Sequence, residues 1–286
     1  MNRIDAHHHL WRYDADRYPW IDGDLTTLRR DFWMDELRTL ASDNGVDGFV
    51  TVQAHQSLDE TRTLLELAAE SPNLIRGVVG WVPMTDPALA DTLSDYDGSA
   101  LVGVRHVIQD EPDDEFWTGR PFLDGLGTVA RAGLRYDLLI YGRQLNAART
   151  LVDAHEGLPI VVDHAAKPTI APEAFDVAWA AGLRELARRP NVWCKWSGLA
   201  SEVVGVDWTI DTLRRYFDLV VEAFTPARIM FGSDWPVCLP RTSYDRWASA
   251  SAVLVSDWTD DERAGFWSAN AIEFYGLGSG DVGHRE

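Results

Sequence analysis

The stretch LPIVVDH, residues 158–164, is apolar for five positions and then ends on two chemically active side chains, Asp163 and His164. A near-continuous β-branched run of this kind marks a strand buried on both faces, as in a parallel sheet covered by helices. GFVTVQA (48–54) and IRGVVGWV (75–82) read the same way. Working outward, strands are predicted at Arg3–His8, Gly48–Ala54, Ile75–Pro83, Leu101–Ile108, Leu134–Tyr141, Pro159–His164, Val192–Trp196 and Ile229–Asp234.

Helical grammar fills the gaps between these runs. SLDETRTLLELAAE (57–70) opens on a Ser57/Glu60 capping box and carries an apolar stripe of Leu64, Leu65, Leu67 and Ala68. GRQLNAARTLVDAHEG (142–157) is expected to stop at Gly157. TDDERAGFWSANAIEFYG (259–276) starts at Thr259/Glu262, stops at Gly276, and would close the barrel's bottom or side. Strand-then-helix units repeated along one chain favour an α/β fold of the (β/α)₈ (TIM) barrel class, with an extra C-terminal helix. A doubly wound open sheet is the alternative, but no Gly-rich phosphate loop follows the first strand.

The chain has 286 residues and 46% hydrophobic content, close to the ~250 residues typical of one such barrel. No linker, internal repeat or low-complexity stretch divides it, so residues 1–277 are expected to be one domain and 278–286 a disordered tail. Formal net charge is −19, which repels phosphate backbones and anionic lipid and argues against nucleic-acid or membrane-surface binding. The N-terminus lacks a signal-peptide core, and Cys194 and Cys238 alone imply no disulfide framework. A cytoplasmic enzyme with a small-molecule substrate is therefore expected, and assembly into a homo-oligomer is left open. Only two of the 26 basic residues are lysines, Lys167 and Lys195, and both fall in segments placed at one face of the barrel. A lysine kept in such a chain points to a use for its compact charge.

In barrels of this class the site lies at the C-terminal strand ends. Polar residues collect there. His7, His8 and His9 end the first strand, and Gln53 and His55 the second. Trp81 ends the third, Arg105 and His106 the fourth, and Asp137 and Tyr141 the fifth. Asp163, His164 and Lys167 follow on the sixth, Lys195 on the seventh, and Asp234 and Trp235 on the eighth. His7 and His9, two apart on a strand, should point the same way and make a divalent-metal site with donors from other strands. Taken singly, His164 also reads as a hydrogen-bonded core histidine and Asp234 as a turn aspartate before Pro236. Lys195 and Arg105 lie within strands, where an unpaired charge is costly, so ion pairs to Asp163 or Asp137 are expected there. Trp11, Trp20, Trp81, Trp196 and Trp235 are either pocket walls or ordinary core.

The segments IDAHHHLW (4–11), VVDHAAKP (161–168), CKWSGL (194–199), MFGSDWPV (230–237) and SANAIEFYGL (268–277) resemble the amidohydrolase-2 branch of the amidohydrolase superfamily. The resemblance is nearest to its sugar-lactonase group, which includes L-fuconolactonases and L-rhamnonolactonases, and it spans nearly the whole chain. It implies a barrel hydrolase that opens a small cyclic ester, an aldonolactone, to the hydroxy acid. It implies that His7 and His9 form the HxH pair, and that Asp234 activates water. One zinc-like ion on His7, His9, His164 and Asp234 is implied, although some lactonases of this branch work without metal. Asp234, His164, Lys195 and Arg105 become the expected catalytic groups, and Gln53, His106, Trp81 and Trp235 the expected substrate contacts. Members with two metals carry a carboxylated lysine on the fourth strand, where this chain has Arg105 and His106, so two metals are not expected. A metal-dependent decarboxylase of the same branch and a non-catalytic sugar-binding barrel are the competing readings.

Overall fold

The computed structural model describes residues 2–171 and 174–278, so all but the first residue of the expected disordered tail lies outside the described residues. Its first half runs β1 (Ile4–His8), α1 (Met34–Asn44), β2 (Gly48–Val52), α2 (Leu58–Glu70), β3 (Ile75–Gly80), α3 (Leu89–Ser94) and β4 (Leu101–His106). There follow α4 (Asp114–Thr118), α5 (Arg120–Arg131), β5 (Arg135–Leu138), α6 (Leu145–Ala154), β6 (Ile160–Val162), α7 (Val177–Ala187) and β7 (Val192–Trp196). The chain finishes with α8 (Ile210–Phe224), β8 (Ile229–Phe231), α9 (Tyr244–Leu254), α10 (Asp260–Ala264) and α11 (Asn270–Tyr275). A π-helical turn, Gly265–Ala269, joins the last two helices.

The eight strands pair in sequence order, each parallel to the next. The seam closes at the strand tops. The His9 amide donates to Trp235 O at 2.7 Å, and the Asp234 amide donates to His7 O at 2.8 Å. Sequential order plus closure excludes the doubly wound alternative and gives a (β/α)₈ barrel. All eight strands occur where the sequence places them, but β6 ends at Val162 and β8 at Phe231. The active residues beyond them stand on turns.

Apolar residues fill the lower half of the barrel, among them Ile4, Ala6, Val50, Val52, Val79 and Met230. Phe274, Tyr275 and Leu277 from the C-terminal helix pack into the same cluster and close the floor. Thr259 and Glu262 complete their reciprocal capping box, and Gly276 ends α11 in the left-handed region. Helix α6 stops at Ala154, three residues before Gly157, because His155 leaves helical geometry and its ring Nε2 engages Leu123 O at 2.6 Å. No described helix is long and apolar enough to cross a membrane.

Only half of the Ser57/Glu60 box forms. Ser57 Oγ accepts the Glu60 amide at 3.1 Å, but the Glu60 carboxylate turns away to the amides of Ala54 and His55 and to the Tyr18 hydroxyl. Burial raises Glu60 from the usual 4.5 to about 7 despite these bonds. The unfolded carboxyl ionises near 4.5 while the folded one keeps its proton to about 7. Across that window the unfolded state loses its proton first, so the Glu60 contribution to stability falls as pH rises and levels off above 7. Asp5 and Asp137, both raised by burial to about 6, act in the same direction. Burial also holds His7, His8 and His164 below their usual 6.5, which acts the opposite way up to that pH. The Glu60 share is therefore read as a difference: between pH 4.5 and 7.5 the urea midpoint of Glu60→Gln should fall less, or rise more, with pH than that of the parent. An unchanged slope in Glu60→Gln would refute this role.

Candidate active site

The HxH pair faces the barrel interior because β1 is not regular. Asp5 pairs with Phe49 and His8 with Thr51, so one extra residue bulges out of β1 between them. Asp5 Oδ1 pins the bulge by accepting the amides of His7 at 3.0 Å and Ser233 at 2.9 Å. Strict alternation from Ile4 and Ala6 would have turned His8 inward. Instead His8 bonds Thr51 Oγ1 at 2.7 Å, and His7 and His9 bring their Nε2 atoms within 3.2 Å of each other.

Two left-handed turns supply the partners. Residues His164–Lys167 all have positive φ (52°, 49°, 59° and 46°), and Asp234 has φ 59°. Non-glycine residues adopt this region at a cost of roughly 1–2 kcal/mol each, and such outliers gather where a side chain must be aimed. Gly198 lies against both turns. A Cβ there would sit 2.6 Å from His164 Nδ1 and 3.0 Å from Asp234 Oδ2, so no side chain can be accommodated.

Asp234 Oδ1 lies 3.3 Å from His9 Nε2, 3.8 Å from His7 Nε2 and 3.9 Å from His164 Nε2. His9 is oriented through Nδ1 by Val52 O at 2.8 Å, and His164 through Nδ1 by Ser197 Oγ at 2.9 Å. Burial alone would raise the Asp234 carboxyl, but His164, His9 and His7 outweigh it and hold it well below the usual range. Burial lowers His164 to about 4, so its ring is neutral near neutrality. Donors 2.0–2.1 Å from a tetrahedral zinc stand roughly 3.3 Å apart. The His7, His9 and Asp234 donor spacing fits one such ion, and the oriented rings supply the support a metal site needs.

Above this cluster opens a cavity of about 130 Å³. His9, His164, Asp234 and Arg105 form its reactive wall. Trp20, Ala54, Gln109, Asp110 and Lys167 form much of the rest, with Val107, Leu139 and Val237.

The amidohydrolase family profile matches residues 4–277. The chain belongs to the amidohydrolase family. It is 38% identical to an L-fucono-1,5-lactonase of Burkholderia multivorans, over 96% of each chain. It is 33% identical to an L-fucono-1,5-lactonase of Burkholderia ambifaria, over 96% of this chain and 95% of that one. The crystal structure of an amidohydrolase from Burkholderia multivorans with bound zinc superposes with a TM-score of 0.93 at 38% identity, over 97% of this chain and all of that one.

Beneath the HxH pair, this amidohydrolase carries a layer of buried charge across the barrel. Lys195 Nζ bonds Asp137 Oδ2, stands 3.1 Å from Asp163 Oδ1, and reaches His7 Nδ1 at 3.1 Å. Arg105 Nη1 pairs with Asp163 Oδ2 at 3.0 Å, its Nη2 donates to Gln53 O, and the Tyr275 hydroxyl donates to Asp137 Oδ2 at 2.8 Å. The ion pairs expected of Lys195 and Arg105 are present. Burial opposes ionisation of Asp163, but Lys195, His7 and Arg105 prevail and hold it well below the usual range.

Several expected site residues stand elsewhere. Lys195 is fully buried behind His7 and does not line the cavity, because two carboxylates hold its ammonium inside the barrel. Gln53, Trp81, His106 and Trp235, expected to touch substrate, are also absent from the lining. His106 is taken by Glu111 at 2.6 Å, Trp81 Nε1 lies 3.4 Å from His106, and Trp235 packs edge-on against Phe32. Gln53 is fully buried. Trp11 and Trp196 are core, while Trp20 does form a cavity wall, held by Ala54 O at 3.0 Å. Gln109 was not among the expected site residues, and Lys167 was placed just beyond the sixth strand's end without an assigned role.

Proposed function

We propose that this amidohydrolase opens a sugar-derived lactone to its hydroxy acid, with Asp234 as the group that activates water. The observation that carries this is an ionised carboxylate ringed by three histidine nitrogens on the wall of a small cavity, beside the Arg105 guanidinium. The two 1,5-lactonase relatives, alignable end to end, narrow the first substrate to try to L-fucono-1,5-lactone.

Water held by Asp234 attacks the carbonyl carbon and passes its proton to the carboxylate. The Arg105 guanidinium faces the developing oxyanion from the same wall. The ring C–O bond then breaks, and Asp234 returns its proton to the leaving alkoxide. Because the histidines keep proton affinity at Asp234 low, it holds that proton only transiently. His7, His9 and Asp234, with His164 as a further donor, would hold one divalent, zinc-like ion. When bound, such an ion supplies Lewis-acid polarisation of the carbonyl or the water.

A pH-indicator screen of aldono-1,5- and 1,4-lactones tests the reading, with 1,5-lactones expected to be opened. Protein purified without added metal should carry one equivalent of a zinc-like ion or less. Two equivalents inside the barrel would contradict a fourth strand that offers Arg105 in place of a bridging lysine. Activity surviving chelation would put the electrostatic load on Arg105 and the histidines.

A further inference from the structure

The wall of the cavity away from the metal-type cluster carries two groups that the hydrolytic step does not use. Gln109 lines the cavity from the turn after β4, its amide fixed to Leu139 O at 3.0 Å. Its side-chain Oε1 is buried without a hydrogen-bond partner. Lys167 lines the same cavity, one of two lysines among 26 basic residues. It is delivered by the left-handed run that begins at His164, and that run is held by Lys167 N–H to His164 O at 2.9 Å and Trp179 Nε1 to Ala165 O at 2.6 Å. Among the described residues no carboxylate lies within 4 Å of the Lys167 ammonium, although Glu202 is near enough to feel its charge, and the ammonium lies 5.4 Å from the Tyr141 ring centroid. One strained turn thus sends a catalytic-wall histidine and a cation into the same small space.

We propose that Lys167 and Gln109 read the ring hydroxyls of the substrate, and so set the preference for a polyhydroxylated lactone over a bare one. The proposal rests on the lactonase reading above. A hydroxyl donates and accepts at once, so it can satisfy Gln109 Oε1 and take a hydrogen bond from Lys167 Nζ. A second carboxylate on the substrate would suit Lys167, but it would stand beside the Asp110 carboxylate and leave Gln109 Oε1 unpaired. An apolar ring would leave Gln109 Oε1 unpaired, and a buried unpaired acceptor is costly. Polyol chemistry is the class that answers both groups.

The test uses the full-length enzyme, Lys167→Met and Gln109→Met, with L-fucono-1,5-lactone and δ-valerolactone, which has the same ring without hydroxyls. The kcat/KM ratio of the hydroxylated to the bare lactone should fall about 10- to 100-fold in each variant, mainly through KM. An unchanged ratio in both variants would overturn the proposal. Calorimetric binding of L-fuconate against 5-hydroxyvalerate gives a readout that needs no turnover. If the wild type opens no lactone yet prefers L-fuconate, and both variants lose that preference, the lactonase reading fails while the hydroxyl-reading wall stands. If the wild type binds both acids equally, or the variants keep the preference, the wall is refuted. Melting temperatures near wild type in both variants show that the folded state is being compared.

Discussion

Asp234→Asn is expected to lower kcat on the best lactone by a factor on the order of 10²–10⁴ while leaving the fold intact. The amide keeps the shape of the carboxylate and one oxygen toward His9, but it cannot take a proton from water. Asn is also among the residues best suited to the left-handed backbone that Asp234 occupies at φ 59°, so the turn gains no new strain. The seam bonds from Asp234 N–H and Trp235 O are main-chain bonds and survive the change. Near-normal kcat with an unchanged melting temperature would remove Asp234 from the proton path.

Lys195→Met is the second large effect, and it should appear first in stability. Met fills the space of the apolar stem but leaves Asp137 without its ammonium and Asp163 with only Arg105 and His7. Removing one member of a buried ion pair typically costs about 3–5 kcal/mol. The melting temperature should drop clearly, and activity should fall with it as His7 Nδ1 keeps Asp163 at 3.2 Å but loses Lys195. Asp137→Asn in the same chain should recover much of the loss, because the orphaned charge is then gone and Tyr275 can still bond the amide oxygen. A Lys195→Met protein with a normal melting temperature and low kcat would instead return Lys195 to direct contact with the oxyanion.

The barrel was legible because parallel strands covered on both faces write continuous apolar runs, and the helices between them write caps and stops. Chemistry at strand tops was legible for the same reason. His7, His9, His164, Arg105 and Asp234 meet as the spacing and motifs suggested. What lay beyond reading was how each chain segment leaves its strand. The β1 bulge turns His7 rather than His8 inward, and nothing in HHH announces the extra residue. The turns at His164–Lys167 and at Asp234 carry no glycine, the usual sign of positive φ. Lys195 sits on a strand, so alternation could place it inward but could not say that Asp137 and Asp163 would hold it below the cavity. Gln53, Trp81, His106 and Trp235 sit close to strand tops, yet the cavity is walled by Trp20, Gln109 and Lys167, whose positions depend on loop folding. Two signals, the scarcity of lysine and a place just beyond the sixth strand, pointed to Lys167, and for Gln109 there was none.

The most direct test of water activation by Asp234 is a single turnover in water enriched in oxygen-18, with enzyme in excess over lactone. Direct attack by water on the lactone carbonyl predicts that the first product carries the heavy oxygen in its carboxylate, and that the peptide containing Asp234 carries none. An unlabelled first product, with the heavy oxygen appearing in the Asp234 carboxylate, would show that Asp234 is itself the nucleophile and contradict its role as the base.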